Sequence, residues 1–290
     1  MGKFINPFTD VGFKRIFGQE FSKPLLLDFL NCLLVGERRI TSLQLLDKEQ
    51  AAEYDGDRSP IYDVYCETDS GEKIIVEMQN RDQPNFKERT LYYASEAIVR
   101  QGQRGTLWDY DIKAVYLVAF TNFTIVDVSS DFRVDAGLTD LKTGRFFSDK
   151  LRLIYLQLPL FVKEAEECVT DFERWIYVLK NMETLNRLPW AAQNAVFQRL
   201  AEVGEVSALT KDERIKYDYA LKKFRDTYNT IRGAEQKGRA EGRAEGRAEG
   251  RAEGRAEGRA EVVKAMRSKG YTDEDIILIT GISPEELEKI

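Results

Sequence analysis

Ile61-Tyr62-Asp63-Val64-Tyr65-Cys66-Glu67-Thr68-Asp69-Ser70-Gly71-Glu72-Lys73-Ile74-Ile75-Val76-Glu77-Met78-Gln79 is the stretch on which the fold turns. β-branched and aromatic residues flank Asp69-Ser70-Gly71 on both sides. This predicts two strands, Ile61 to Thr68 and Lys73 to Gln79, joined by a three-residue loop in which Gly71 takes the left-handed conformation. Thr68 then pairs with Glu72, and Asp63 falls directly opposite Glu77. Gln79 stands beside Glu77, because strand residues two apart share a face. Ile61, Tyr65 and Ile75 belong to that face, and Tyr62, Val64, Cys66, Ile74, Val76 and Met78 to the other. Both faces are apolar, the signature of a strand covered on two sides.

Two carboxylates opposed at a β-carbon separation of about 5 Å repel one another. Three arrangements relieve them: a cation held between them, a buried network with Arg or Lys, or exposure to water. An oxygen-only donor pair suits Mg²⁺, with Mn²⁺ as the alternative.

Working outward, apolar periodicity predicts helices at Asp10 to Phe17 and at Ser22 to Val35, the second with Ser22 as N-cap, Pro24 in its first turn and Gly36 as its stop. Further strands are expected at Thr41 to Leu46, Lys113 to Phe120 and Leu151 to Leu158, with helical spacing from Asn85 to Gln103 between them. Strands separated by helices, one pair being a hairpin, imply an α/β fold with a mixed sheet. Beyond residue 165 the pattern is helical. Thr170-Asp-Phe-Glu173 and Thr210-Lys-Asp-Glu213 are capping boxes, the second opening a helix that reaches about Ile231. The expected divisions are a core over 1–165, a helical subdomain over 166–232, a repeat over 233–261 and a small helical module over 262–290.

The repeat is Gly-Arg-Ala-Glu, six times without interruption from Gly238 to Glu261. Four residues turn a helix by about 400°, so like charges stack at i, i+4 while each glycine costs about 1 kcal/mol relative to alanine. Such a segment is either a flexible spacer or a helix held by a second copy, the Arg spiral of one chain facing the Glu spiral of the other in a homo-oligomer. The final module has N-caps at Thr272 and Ser283 and breaks at Gly270 and Gly281, resembling a helix-turn-helix. Its acidic helices favour a protein-binding or capping role over DNA contact.

With 43% hydrophobic and 32% charged residues in a 290-residue chain, the composition is that of a soluble globular protein. No leader pattern and no run of about 18 apolar residues is seen, which predicts a cytoplasmic protein without membrane or small organic cofactor. Cys32, Cys66 and Cys168 are odd in number and set in apolar patterns, so they are expected to be reduced and buried. The chain contains no histidine. That excludes a Ser-His-Asp triad, a histidine base and any His-ligated metal, leaving carboxylates, lysine or a hard cation. The net charge of −6 offers no global attraction to nucleic acid. Locally, Arg81, Lys87, Arg89, Arg100 and Arg104 outnumber Asp82, Glu88 and Glu96.

Asp63 followed by Glu77-Met-Gln79 on the next strand resembles the D…(D/E)XK core of the PD-(D/E)XK nucleases. The wider text is similar to the Rpn family of recombination-promoting nucleases and transposases within that superfamily. Supporting matches are Asn6-Pro-Phe-Thr-Asp10-Val-Gly-Phe-Lys14-Arg-Ile-Phe-Gly, Asp57-Arg58, Arg89 with Tyr92 and Tyr93, and Val115-Tyr-Leu-Val-Ala-Phe120. The resemblance covers roughly residues 4 to 230 and implies a restriction-endonuclease-like fold and Mg²⁺-dependent hydrolysis of DNA. Asp63 and Glu77 would hold the ion, with the Met78 carbonyl and Asp10 as further ligands. Tyr62 occupies the place of the name-giving proline, and Gln79 that of the lysine. Glutamine orients through hydrogen bonds but carries no charge, so Lys14 or Lys87 would have to supply it. Arg89, Tyr92, Glu96 and Arg100 share a helix face that suits phosphate contact and base stacking, or a solvated surface with a Glu96–Arg100 pair. Asp10 and Lys14 suit either the site or a plain i, i+4 salt bridge.

Two other functions fit the same residues. A catalytically silent DNA- or protein-binding oligomer is favoured by Gln79 and the acidic charge. A retaining glycosidase uses two carboxyl groups about 5 Å apart, but sugar-binding aromatics are few.

Overall fold

The hairpin forms in the expected register and sits in the middle of the sheet. A computed structural model describes residues 2–47, 61–103 and 108–290, apart from the side chain of residue 235. Asp57, Arg58 and Arg104 lie outside the described residues. Strand β2 (Val64–Thr68) pairs antiparallel with β3 (Lys73–Gln79), with Val64 opposite Val76 and Tyr65 opposite Ile75. The Thr68 N–H donates to the Glu72 carbonyl at 2.9 Å, and Gly71 has φ +84°. That value needs glycine, since an L side chain in the left-handed region meets its own carbonyl.

Four strands complete a mixed six-stranded sheet: β1 (Leu43–Leu45), β4 (Val115–Thr121), β5 (Arg133–Thr139) and β6 (Phe146–Gln157), in the order β1-β2-β3-β4-β6-β5. β3, β4 and β6 run parallel, and the remaining pairs are antiparallel. β5 was not expected. Arg133, Asp135 and Gly137 interrupt its apolar alternation, and as an edge strand it buries little.

One face carries α1 (Asp10–Phe17), α2 (Lys23–Leu33), α4 (Asp171–Asn181) and α5 (Ala195–Gly204) over Val64, Cys66, Ile74, Val76, Val118 and Phe120. An aromatic stack of Phe17, Phe29, Phe120 and Trp175 fills its centre. At about 25 cal/mol per Å² of apolar surface, burial of these large rings is a principal stabiliser of the sheet–helix contact. The other face is covered by α3 (Phe86–Val99), the crossover between parallel β3 and β4, and packs Tyr62, Tyr65, Ile75, Phe86, Ala94, Leu117 and Tyr155. This is the α/β, restriction-endonuclease-like arrangement of the sequence reading.

Tyr62 departs from its expected side. The ladder begins only at Val64, so Tyr62 is free of strand alternation and packs with Tyr65 at a ring separation of 5.0 Å. Ser22 also differs: its hydroxyl donates to the Gln19 carbonyl at 3.1 Å and does not cap α2. The Thr170 box forms as expected, with Thr170 accepting from the Glu173 N–H.

The chain divides into two compact units, 1–224 and 225–290. Helix α6 (Lys211–Ser268) does not stop near Ile231 but continues through all the repeats. Within the second unit, α7 (Asp273–Thr280) and α8 (Pro284–Leu287) are capped by Thr272 and Ser283. Val263, Ile276, Ile282 and Leu287 form a small core there, and Gly270 and Gly281 take the left-handed turns their positions predict. Cys66 and Cys168 are buried free thiols, whereas Cys32 is only half-buried. Among the described residues no helix is long and apolar enough to cross a membrane.

Candidate active site

Two backbone N–H groups lock the paired carboxylates together. Asp63 lies one residue before β2, so the Val64–Val76 register sets it across from Glu77. The Asp63 N–H donates to Glu77 Oε1 at 3.2 Å, and the Met78 N–H donates to Asp63 Oδ2 at 2.9 Å. Each carboxylate thus accepts from the other strand, and these bonds offset part of the repulsion between them.

The location is buried. Glu77 is 5% exposed, which excludes simple exposure as the way its charge is tolerated. Burial, then the Asp63 charge, push the Glu77 carboxyl up to about 8; the Asp63 N–H, the Arg89 charge and the Gln79 amide oppose the rise without cancelling it. Burial and the Asp63 charge thus favour the protonated form of Glu77 in the metal-free site.

Gln79, at the end of β3, bridges the carboxylates to α3. Its Nε2 approaches Glu77 Oε2 at 3.4 Å, and its Oε1 accepts from Arg89 Nη2 at 2.6 Å. Arg89 Nη1 donates to Gln83 Oε1 at 2.5 Å, and the guanidinium lies 5.6 Å from the Phe86 ring centroid. One turn further, Tyr93 also faces the site: Glu77 and Asp63 raise its phenol and Arg89 lowers it, after burial as the largest cause. The sequence reading favoured Tyr92, whose ring is 50% exposed. Tyr93 was recoverable, because it stands at i+4 from Arg89 and so on the same helix face.

The structure thus brings together Asp63, Glu77, Met78, Gln79 and Arg89. Asp10 and Lys14 form an ion pair with one another on α1. Lys87 Nζ points to the Val126 carbonyl at 3.4 Å. Arg100 pairs with Glu96 at 2.9 Å.

The donor set fits a hard cation of modest demand. Among the described residues no group of three or more acidic, Cys or His ligands exists, and Asp63 and Glu77 are the two carboxylates that meet. Mg²⁺ is commonly bound through one or two carboxylates and keeps several waters. Asp63 and Glu77 match that need, and a cation there would relieve the carboxylate contact that burial makes costly.

No curated protein and no solved structure matches the chain. A family model described as PD-(D/E)XK nuclease family transposase matches residues 7–234. That span contains the hairpin, α3 and every strand of the sheet, and it bears out the family resemblance. The chain belongs to the PD-(D/E)XK nuclease family transposases.

Proposed function

We propose that this family member is a metal-dependent deoxyribonuclease acting within DNA recombination or transposition. The observation that supports it best is the mutually braced Asp63–Glu77 pair, Glu77 buried and Asp63 half-buried, an arrangement costly to folding and well suited to a cation. Asp63, Glu77 and the Met78 carbonyl would hold Mg²⁺, or Mn²⁺ in its place. When bound, such an ion polarises a phosphoryl oxygen and lowers the pKa of an attacking water. The chain's own residues do the rest. Glu77 gives up its proton to become a ligand, Gln79 orients its neighbours through both ends of its amide, and α3 presents Arg89, Tyr92 and Arg100 to the DNA backbone and bases. Asp10 and Lys14 extend this surface from α1. The free thiols agree with a cytoplasmic location.

The test is cleavage of plasmid DNA by the purified full chain with Mg²⁺, Mn²⁺ or chelator. Cutting should require the metal, and Asp63→Ala and Glu77→Ala should abolish it while the thermal melt stays cooperative. Cutting that persists in both variants would refute the proposal.

Gln79 favours a second reading, in which the fold binds DNA or a protein partner without catalysis and the repeat drives self-association. Calorimetric titration of Mg²⁺ separates the two, since a silent site would take up no metal.

A further inference from the structure

A glutamine at the lysine position leaves the site without its expected positive charge, and the structure shows a cation brought to that glutamine from elsewhere. We infer that Arg89, carried on α3 and clamped by Gln79, is the catalytic cation of this site, standing in space where a strand lysine would place its ammonium. The inference rests on the nuclease reading and deepens it.

The partners of the guanidinium carry the argument. Arg89 Nη2 donates to Gln79 Oε1 at 2.6 Å and Nη1 to Gln83 Oε1 at 2.5 Å. Both are neutral amide oxygens, and Phe86 covers the guanidinium at 5.6 Å. Among the described residues Arg89 has no carboxylate partner, in contrast to Lys14, Arg15, Arg100 and Arg133, which are each neutralised by an acid. A guanidinium anchored only by amides keeps its full charge for an anion. Its five donors in a planar fork suit the oxygens of a phosphate better than an ammonium does. The same Gln79 amide turns its nitrogen toward Glu77 Oε2, so a single side chain ties the cation to the carboxylate pair. Gln79 is then a positioning residue, holding Arg89 beside the carboxylate pair. The other cationic candidates are engaged by other partners: Lys14 by Asp10, and Lys87 by the Val126 carbonyl.

In the step served, the water oxygen forms a bond to phosphorus and the bond from phosphorus to the leaving sugar oxygen breaks, its electron pair staying on that oxygen. The water releases a proton to solvent and the leaving oxygen takes one up. Arg89 transfers no proton. It stabilises the negative charge that accumulates on the phosphoryl oxygens, where preorganised donors have their largest effect.

The experiment compares the full-length wild type with Arg89→Ala, Arg89→Lys, Gln79→Lys and the double variant Arg89→Ala/Gln79→Lys. Plasmid cleavage is followed at saturating Mg²⁺, and DNA affinity is measured by fluorescence anisotropy without metal. Arg89→Ala should lose about 100-fold or more in rate, the loss typical of one removed transition-state donor. Its DNA affinity should fall only by roughly the few-fold due to one phosphate contact. Arg89→Lys should lie between. Gln79→Lys placed on the Arg89→Ala background should regain at least about tenfold, as should guanidinium ion added below denaturing concentration. The inference is overturned if Arg89→Ala cuts at the wild-type rate, if its loss is matched by an equal loss of DNA affinity, or if neither lysine nor guanidinium restores cutting. A wild type that cuts no DNA overturns the nuclease reading and this inference together, whereas failure of the Arg89 series alone leaves that reading standing.

Discussion

Replacing Glu77 by Gln should stabilise the metal-free protein at alkaline pH while removing its metal site. Burial and the Asp63 charge raise the Glu77 carboxyl from its ordinary value of 4.5 to about 8. The folded state therefore holds a proton that the unfolded chain has released throughout this window. Stability is highest below the lower value, falls as pH rises toward about 8, and levels off above it. The slope approaches about 1 kcal/mol per pH unit, and the accumulated penalty is on the order of a few kcal/mol. Exposure gives little relief, the side chain being 5% exposed. Glutamine has the same shape, pays no ionisation cost and still accepts from the Asp63 N–H. The contact it forfeits is the long 3.4 Å approach of the Gln79 amide. Urea melts in chelator at a series of pH values provide the assay. The two proteins should be nearly equal at about pH 4 and diverge steadily upward, with the variant the more stable by a few kcal/mol at about pH 9. Saturating Mg²⁺ should raise the wild-type midpoint at that pH and leave the variant unmoved. A stability difference that does not vary with pH, or a variant less stable than wild type at the alkaline end, would show that Glu77 is not held protonated.

Four further outcomes are expected. Gly71→Ala should cost about 1–2 kcal/mol in urea melts, because φ +84° is strained for alanine and its Cβ would come within 3.3 Å of Lys113. Tyr62→Phe should cost about 1 kcal/mol by the same measurement, since its hydroxyl donates to the Tyr93 carbonyl at 3.2 Å. Thr170→Ala removes the N-cap of α4 and half of its capping box and should cost about 1 kcal/mol, visible as a lowered melting temperature. Replacing Gly238, Gly242, Gly246, Gly250, Gly254 and Gly258 by alanine should raise the helical circular dichroism signal and its thermal persistence, by about 1 kcal/mol per site at most; nothing lies within 4 Å of a Cβ added at any of them.

The hairpin was legible because two local rules agree on it: Gly71 fixes the loop, and the loop fixes which residues oppose. That is why Asp63 and Glu77 could be paired from spacing alone. Tyr62 was misplaced by the same reasoning carried one residue too far, since alternation holds only where the ladder exists. β5 escaped notice because an edge strand with Arg133, Asp135 and Gly137 satisfies its pairing through the backbone and leaves little apolar pattern. The Arg89–Gln79 contact was beyond local reading: it joins a strand end to the helix that crosses back over it, and only the packing of that crossover sets the distance. The repeat could be read only as spacer or helix, because glycine content and like-charge stacking argue locally against the helix that α6 in fact continues there.

The unbroken helix through the repeat gives copy number a mechanical meaning. One Gly-Arg-Ala-Glu unit advances a helix by about 6 Å and rotates its far end by about 40°, so nine units restore roughly the starting phase. Within the second unit, gain or loss of a repeat would change the length of helix ahead of the α7–α8 module by about 6 Å and the helical phase at which that module begins by about 40°, with no residue of its core altered. The helix can therefore be lengthened in whole repeat units, each adding the same rise and the same rotation.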